Sequence, residues 1–377
     1  KEGMGFDPAR SFFVPDGVYD FFSRAMDRGR AARAAWGERH RRAMTDPGRA
    51  AAWRAHFEPG PISLEGPGFD AGSSLATRAA SGALFGEIAG KVPGFVGGSA
   101  DLVESTKTVI DHGSRFSKDD RAARDLAFGI REHAMGTITN GLALHGGLRP
   151  YGATFFVFSD YMRPAVRLGA LMGAPSIWVW THDSVFLGED GPTHQPIEHL
   201  ASLRAMPNLW VIRPADANET VGAWEMALNR TDGPTAIVLT RQGVPVLEGT
   251  GEVSSGGYVL RQGSDAVIVA TGSEVHVALA AAEILEEEGR SVRVVSLPCL
   301  EAFRAQPAEY RSSVLGEGIP RISLEAGSTF GWGDIVGSDG LSIGIDRFGA
   351  SAPAKVIAEQ FGFTGPTVAA RIRPLLD

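Results

Sequence analysis

Between residues 181 and 196 the chain concentrates groups that can donate, accept or shuttle protons. Thr181, His182, Asp183 and Ser184 are followed by Gly188-Glu189-Asp190-Gly191-Pro192-Thr193-His194-Gln195-Pro196, and three of the nine histidines (His182, His194, His199) fall in or beside this stretch. An apolar run, Ile177 to Trp180, precedes it and reads as a strand; open α/β sheets bind ligands beyond the carboxyl ends of their strands. A metal centre competes with that reading, but His194 and His199 lack the i, i+4 helical spacing of a zincin, and Pro196 intervenes. A loop whose His and Asp satisfy backbone groups is the plainer alternative.

Three further groups stand out. In Gly129-Ile130-Arg131-Glu132-His133-Ala134-Met135 a charged triplet lies between a strand and an apolar, Gly-rich helix. Glu132 there either favours a positive helix start or serves as a partly buried carboxyl fit for proton exchange. Phe155, Phe158 and Tyr161 recur at three-residue intervals after Tyr151-Gly152-Ala153-Thr154, which reads as a Gly-bearing turn. Such a stripe is either core or the wall of a flat heteroaromatic ring. Gly97-Gly98-Ser99-Ala100-Asp101-Leu102 ends another strand without the G-x-G-x-x-G of a dinucleotide site.

The elements that would hold these groups alternate. Helix is expected over Asp16 to Met44, Ser74 to Ala89, Arg131 to His145 and Asp216 to Asn229. Short apolar strands are expected at Gly94 to Gly98, Leu126 to Ile130, Ile177 to Thr181, Leu209 to Ile212 and Ala236 to Thr240. A second unit follows from Gly256, with strands at Val267 to Ala270, Val292 to Ser296 and Ile322 to Leu324, and helices over Glu274 to Glu288 and Pro353 to Phe361. This alternation predicts an α/β protein of two doubly wound domains with mainly parallel sheets. The expected division is a helical connector over 1–68, one domain over 69–248 and another over 256–377, with the apolar-poor Glu248 to Ser255 stretch between them.

Composition narrows the function classes. The 377 residues carry 36 Lys+Arg against 44 Asp+Glu, a net charge of −8, which argues against broad binding to nucleic acid or an anionic membrane. One cysteine, Cys299, excludes an internal disulfide and any multi-cysteine metal site, and points to a reducing, cytoplasmic setting. The opening Lys1-Glu2-Gly3-Met4-Gly5-Phe6 has no signal-peptide pattern.

Taken in order, GGSADL, GIREHAM with NGLALHGG, TFFVFSDYMRPAVR, THDSVFLGEDGPTHQP and TRQ closely resemble the pyrimidine-binding domain of transketolases. The stretch around Gly256-Gly257-Tyr258, ATGSEV, Ser323 to Gly327 and FGASAP resemble that family's C-terminal domain, and VPDGVYDFF its connector. The resemblance implies thiamine diphosphate as cofactor and two-carbon ketol transfer between sugar phosphates. It further implies a homodimer with the active site between subunits.

Carried over by position, Glu132 is implied at N1′ of the aminopyrimidine, Phe155, Phe158 and Tyr161 around its ring, and Asp101 and Leu102 beside it. Arg78, Ser105, His182 and Arg241 are implied in the sugar-phosphate grip, Asp190 at a substrate hydroxyl and His194 near the reacting oxygen. Glu104 and Lys107 depart from the family's usual Pro and Asn. Asp-Gly occurs at Asp16, Asp190, Asp232 and Asp339, never after Gly. The family's G-D-G motif for the diphosphate and its Mg²⁺ or Ca²⁺ is thus expected in an N-terminal domain outside this sequence, and the 377 residues alone are expected to be inactive. A dihydroxyacetone synthase-like sister enzyme, the β component of a 2-oxo acid dehydrogenase and a non-catalytic subunit of a split enzyme are the rivals.

Overall fold

The computed structural model describes residues 1–110 and 114–376. Two compact units divide at Glu58 and Pro59. In the first, helix Asp16–Met44 carries no buried residue, and Tyr19, Phe21, Phe22 and Met26 are exposed. Helix Pro47–Phe57 starts with Pro at its first turn and an Asp46 carboxylate that accepts from the Arg49 amide, one of the donors a helix start leaves unpaired. Trp36 stacks on His40 and Trp53 on Phe57, joining the two helices by an aromatic seam.

The second unit begins at Pro59 and takes in residues 59–68. Asn229 takes the Ile62 amide at 2.8 Å, Glu225 takes that of Leu64 at 2.6 Å, and Glu87 takes those of Glu65 and Gly66. These side-chain acceptors give an irregular segment its backbone partners, a role that its Pro-rich composition conceals.

Thirteen strands lie among the described residues: β1 (Ser74–Leu75), β2 (Phe95–Ser99), β3 (Asp125–Ala127), β4 (Arg149–Phe155), β5 (Ile177–Thr181), β6 (Trp210–Ile212), β7 (Thr235–Leu239), β8 (Val244–Pro245), β9 (Tyr258–Arg261), β10 (Ala266–Ala270), β11 (Val292–Ser296), β12 (Arg321–Leu324) and β13 (Leu341–Ile343). One sheet has the order β3-β2-β4-β5-β7-β6 and is parallel throughout. The other runs β13-β12-β10-β11-β9, with only β9 antiparallel. Both sheets carry helices, giving the expected α/β architecture. Every residue of β5, β7 and β10 is buried, as the unbroken apolar runs require of parallel strands covered on both faces.

Three sequence expectations change. Ser74 and Leu75 form a strand paired with β8, so the helix starts only at Thr77. The strand expected over Leu126 to Ile130 ends at Ala127, before the left-handed Gly129. Tyr151 to Thr154 is no turn but the middle of β4, a central strand. Gly152 misled because glycine usually marks turns; here a Cβ would sit 3.2 Å from Met135 Cγ, so glycine lets helix Glu132–His145 lie close on the sheet.

The two sheets meet at Glu219, fully buried on helix Ala217–Asn229. It accepts hydrogen bonds from the Ala215 amide, from Tyr258 of β9 and from Ser296 of β11. Burial outweighs these donors and pushes its carboxyl up to about 7. The folded state therefore binds a proton more tightly than the unfolded chain, and this group's contribution falls as pH rises from about 4.5 to about 7. Glu219→Gln can accept the Ala215 amide and donate to both hydroxyls. Its stability in urea is expected to exceed that of the parent above pH 7, by an amount that shrinks to nothing near pH 4.5. A constant difference across that range would contradict the assignment.

Candidate active site

Because the first sheet is parallel, the carboxyl ends of its strands share one edge, and the singled-out residues gather there. Asp101 and Leu102 follow β2, Glu132 lies just beyond β3, Phe155 closes β4, His182 follows β5 and Arg241 lies just beyond β7. Asp101 and His182 have φ of 63° and 67°, left-handed backbone that costs a non-glycine residue about 1 kcal/mol or more. Such strain persists only where surrounding contacts hold it.

At His182 those contacts are specific. The ring stacks on Phe155 at 3.8 Å between centroids, and Nε2 lies 3.9 Å from Asp190 Oδ2. Phe155 stacks on Phe158 at 5.8 Å, His194 stands edge-on to Phe158 at 5.6 Å, and Tyr161 leans on Phe158 at 5.9 Å. Phe155 and His182 are buried, while Tyr161 is 67% exposed and forms the outer rim. The stripe is therefore part core and part wall. His182 Nδ1 is buried with no hydrogen-bond partner, an orphaned polar atom on a ring set among charged groups.

Two guanidinium groups supply that charge. Thr77 and Thr240 hold each other reciprocally: the Thr77 amide donates to Thr240 Oγ1 at 2.9 Å, and the Thr240 amide donates to Thr77 Oγ1 at 2.8 Å. Each threonine precedes an arginine, so this buried clasp, with the β1–β8 ribbon beside it, brings Arg78 and Arg241 together. Arg78 also donates to the Ser105 carbonyl at 2.9 Å. Burial first, then Arg241, draws the Arg78 guanidinium below its usual value, and Asp190 partly offsets both. Two like charges at a strand end suit a dianionic group, each offering a planar fork of donors. The sequence reading picked out both arginines but missed the threonine clasp, because Thr77 and Thr240 lie 163 positions apart.

Burial, Arg78, Arg241 and His194, in that order, depress the His182 imidazole to about 3. His182 is therefore neutral at physiological pH and contributes hydrogen bonds rather than charge. Glu132 stands apart from this cluster: no contact joins it to the aromatic wall among the described residues. It is the first residue of helix Glu132–His145, set by the Gly129 turn and by Arg131 donating to the Phe128 carbonyl at 3.0 Å. Glu132 is 8% exposed, and its carboxyl makes no hydrogen bond among the described residues. Asp101 lines a separate cavity of about 330 Å³ with Glu104, Arg115 and Asp125. Leu102 donates its amide to Ser99 Oγ. Lys107 is left-handed and exposed, its backbone close to Gly82 on the Arg78 helix.

Asp160, Glu198 and His199 form the only grouping of three potential metal ligands among the described residues. His199 Nε2 and Asp160 Oδ2 are 3.2 Å apart, so an ion pair already explains that contact. His182 and His194 take no part in it.

Two measurements test this geometry. The Cε1–H resonance of His182 is expected not to move between pH 5 and 8; a midpoint near 6.5 would contradict a buried ring beside two arginines. Thr240→Val leaves the Thr77 amide buried and unpaired. A stability loss of about 1–3 kcal/mol is expected from denaturant titration, and an unchanged midpoint would dismiss the clasp.

The family profile described as "Transketolase, pyrimidine binding domain" matches residues 73–246, and "Transketolase-like TK C-terminal domain" matches 256–364. The transketolase of Geobacillus stearothermophilus is 49% identical over 391 residues, covering 100% of this chain and 58% of that protein. A chloroplastic transketolase of Craterostigma plantagineum is 45% identical, covering 100% of this chain and 75% of its own length. Among solved structures, transketolase from Leishmania mexicana superposes with a TM-score of 0.91 at 41% identity, over 100% of this chain and 57% of that one. Transketolase from Pichia stipitis in complex with sedoheptulose-7-phosphate gives 0.90 at 40%, with coverages of 100% and 57%. A split gene transketolase, described as an inactive β4 tetramer, gives 0.66 at 29%, covering 81% of this chain and 99% of that one. The chain thus spans a little over half the length of several transketolases and nearly all of a split one.

Proposed function

Because this chain belongs to the transketolase family, we propose that it forms the pyrimidine side and the sugar-phosphate grip of an enzyme transferring a two-carbon ketol unit from a ketose phosphate to an aldose phosphate. The Arg78–Arg241 pair beside His182 and Asp190 carries this reading. It favours a phosphorylated sugar over the substrates of a 2-oxo acid dehydrogenase. Sedoheptulose-7-phosphate in the Pichia stipitis relative supports the same substrate class.

The residues fit thiamine diphosphate. Glu132 is a largely buried residue whose carboxyl makes no hydrogen bond among the described residues and is thus available to a ring nitrogen, and the stacked Phe155–Phe158 pair with Tyr161 at its rim gives an apolar wall for a flat ring. When bound, the cofactor supplies the electron sink for breaking and forming the carbon–carbon bond. Glu132 would hold a proton at N1′, with Phe155, Phe158 and Tyr161 walling the ring and Asp101 and Leu102 bordering it. Arg78, Arg241, Ser105 and neutral His182 would bind the sugar phosphate, Asp190 would accept a substrate hydroxyl, and His194 would move a proton at the reacting oxygen. In this reading the ligands of the Mg²⁺ or Ca²⁺ come from the family's diphosphate-binding part.

A homodimer with the site at its interface is supported by an apolar face on helices Glu132–His145 and Ser159–Met172, where Ile138, Leu144, Leu168, Leu171 and Met172 are exposed. No helix among the described residues is long and apolar enough to cross a membrane. Cytoplasmic action is supported by the buried free thiol of Cys299. A second reading, one subunit of a split transketolase, is favoured by the 99% coverage of the split-gene relative.

In the enzyme complete with its diphosphate-binding part, Arg78→Ala or Arg241→Ala is expected to raise KM for phosphorylated ketoses about 10- to 150-fold. KM for a non-phosphorylated ketol donor should change far less; equal effects would defeat the phosphate grip. Glu132→Gln should keep the fold and slow hydrogen–deuterium exchange at thiamine C2, and an unchanged rate would remove Glu132 from the mechanism. Calorimetry on the 377 residues alone should find weak, Mg²⁺-independent thiamine diphosphate binding and no ketol transfer.

A further inference from the structure

The segment from His182 to Gln195 belongs to the first sheet by sequence, yet several of the contacts that hold it come from the unit of the second. Val185 and Phe186 lie in the hydrophobic core built around β10 and helix Glu274–Glu287, and Phe186 meets Phe363 edge-on at 5.6 Å. Asp183, next to the strained His182, is gripped by Arg213 at 2.9 and 2.6 Å; Arg213 in turn pairs with Glu274 and donates to the Thr271 carbonyl. On the far side, Ser351 donates to the Glu189 carbonyl at 2.7 Å. Gln195 Nε2 donates to the carbonyls of Val185, Gly188 and Ala350, at 3.1, 3.1 and 2.9 Å. Its Oε1 lies where a Cβ on Gly349 would come within 1.7 Å.

Asp190 and His194, half-exposed or exposed themselves, thus hang between anchors that the second sheet's unit provides. We propose that this C-terminal unit positions the substrate-reading segment, with Gln195, Gly349 and Ser351 as positioning residues that set where Asp190 and His194 stand. The proposal rests on the functional reading above for what the segment reads, but its geometric core does not.

The test joins two readouts. In the 377-residue protein, Gly349→Ala displaces Gln195 and is expected to speed amide hydrogen exchange across 185–195 about tenfold, leaving helix 132–145 unchanged. In the complete enzyme the same variant should raise ketose-phosphate KM about tenfold while thiamine diphosphate affinity holds. Ser351→Ala removes one peripheral bond and should do the same more weakly, so the idea stays testable if Gly349→Ala fails to fold. The double variant Gly349→Ala/Gln195→Ala should be no worse than Gln195→Ala alone, because Gln195 transmits the clash. Unchanged exchange in both folded variants, or exchange rising equally in helix 132–145, overturns the proposal. Absence of ketol transfer by the complete parent enzyme would overturn the functional reading instead, and the exchange measurement would still decide the positioning claim.

Discussion

Arg213 has no exposed surface, and its charge must be answered entirely inside the protein. Asp183 answers it from one sheet's edge and Glu274 from the other's first helix, while burial pushes the Asp183 carboxyl up against that pull. Breaking such a pair by removing one partner typically costs about 3–5 kcal/mol, because the other charge is left stranded. The junction between the sheets is therefore held by a geometry that tolerates little sliding. Arg204 and Glu325 repeat the device nearby with two parallel hydrogen bonds of 2.8 Å. A junction built this way also fixes the conformation of His182, one residue from Asp183.

The site depends on a division of labour between strand ends and clasps. Parallel strands deliver Glu132, Asp101, Phe155, His182 and Arg241 to one edge, although only some of them touch there. The strands do not fix side-chain spacing there. The Thr77–Thr240 clasp, the Phe155–His182 stack and the Gln195 fan of hydrogen bonds do so, each a contact between segments distant in sequence or separated by a turn.

This division also explains what could be read beforehand. The run Ile177 to Thr181 became a strand with those bounds, since a parallel strand buried on both faces is almost wholly apolar; Val292 to Ser296 did so too, its one half-buried polar residue, Arg293, not breaking the run. His182 could be singled out because it opens a dense polar cluster behind an apolar strand, whereas Arg241 was picked out only through the resemblance to transketolases. The central strand β4 was hidden by Gly152, whose small size serves helix packing rather than chain reversal. Pairings across long separations, such as Ser351 with Glu189, leave no local pattern in a single sequence. Gln195 and its partner Ala350 each stood inside a motif that could be singled out, but nothing local joined the two motifs.

The approach of Gly349 to Gln195 has a consequence for how these two positions can change over generations. With Gln195 in place, residue 349 has no room for a side chain. A shorter residue at 195 would open that room but remove the donor of the Ala350 carbonyl and two of the bonds that brace 185–188. Neither position can drift alone without loss, so lineages that retain the glutamine should be confined to glycine at 349, and escape should require paired replacement through a less fit intermediate.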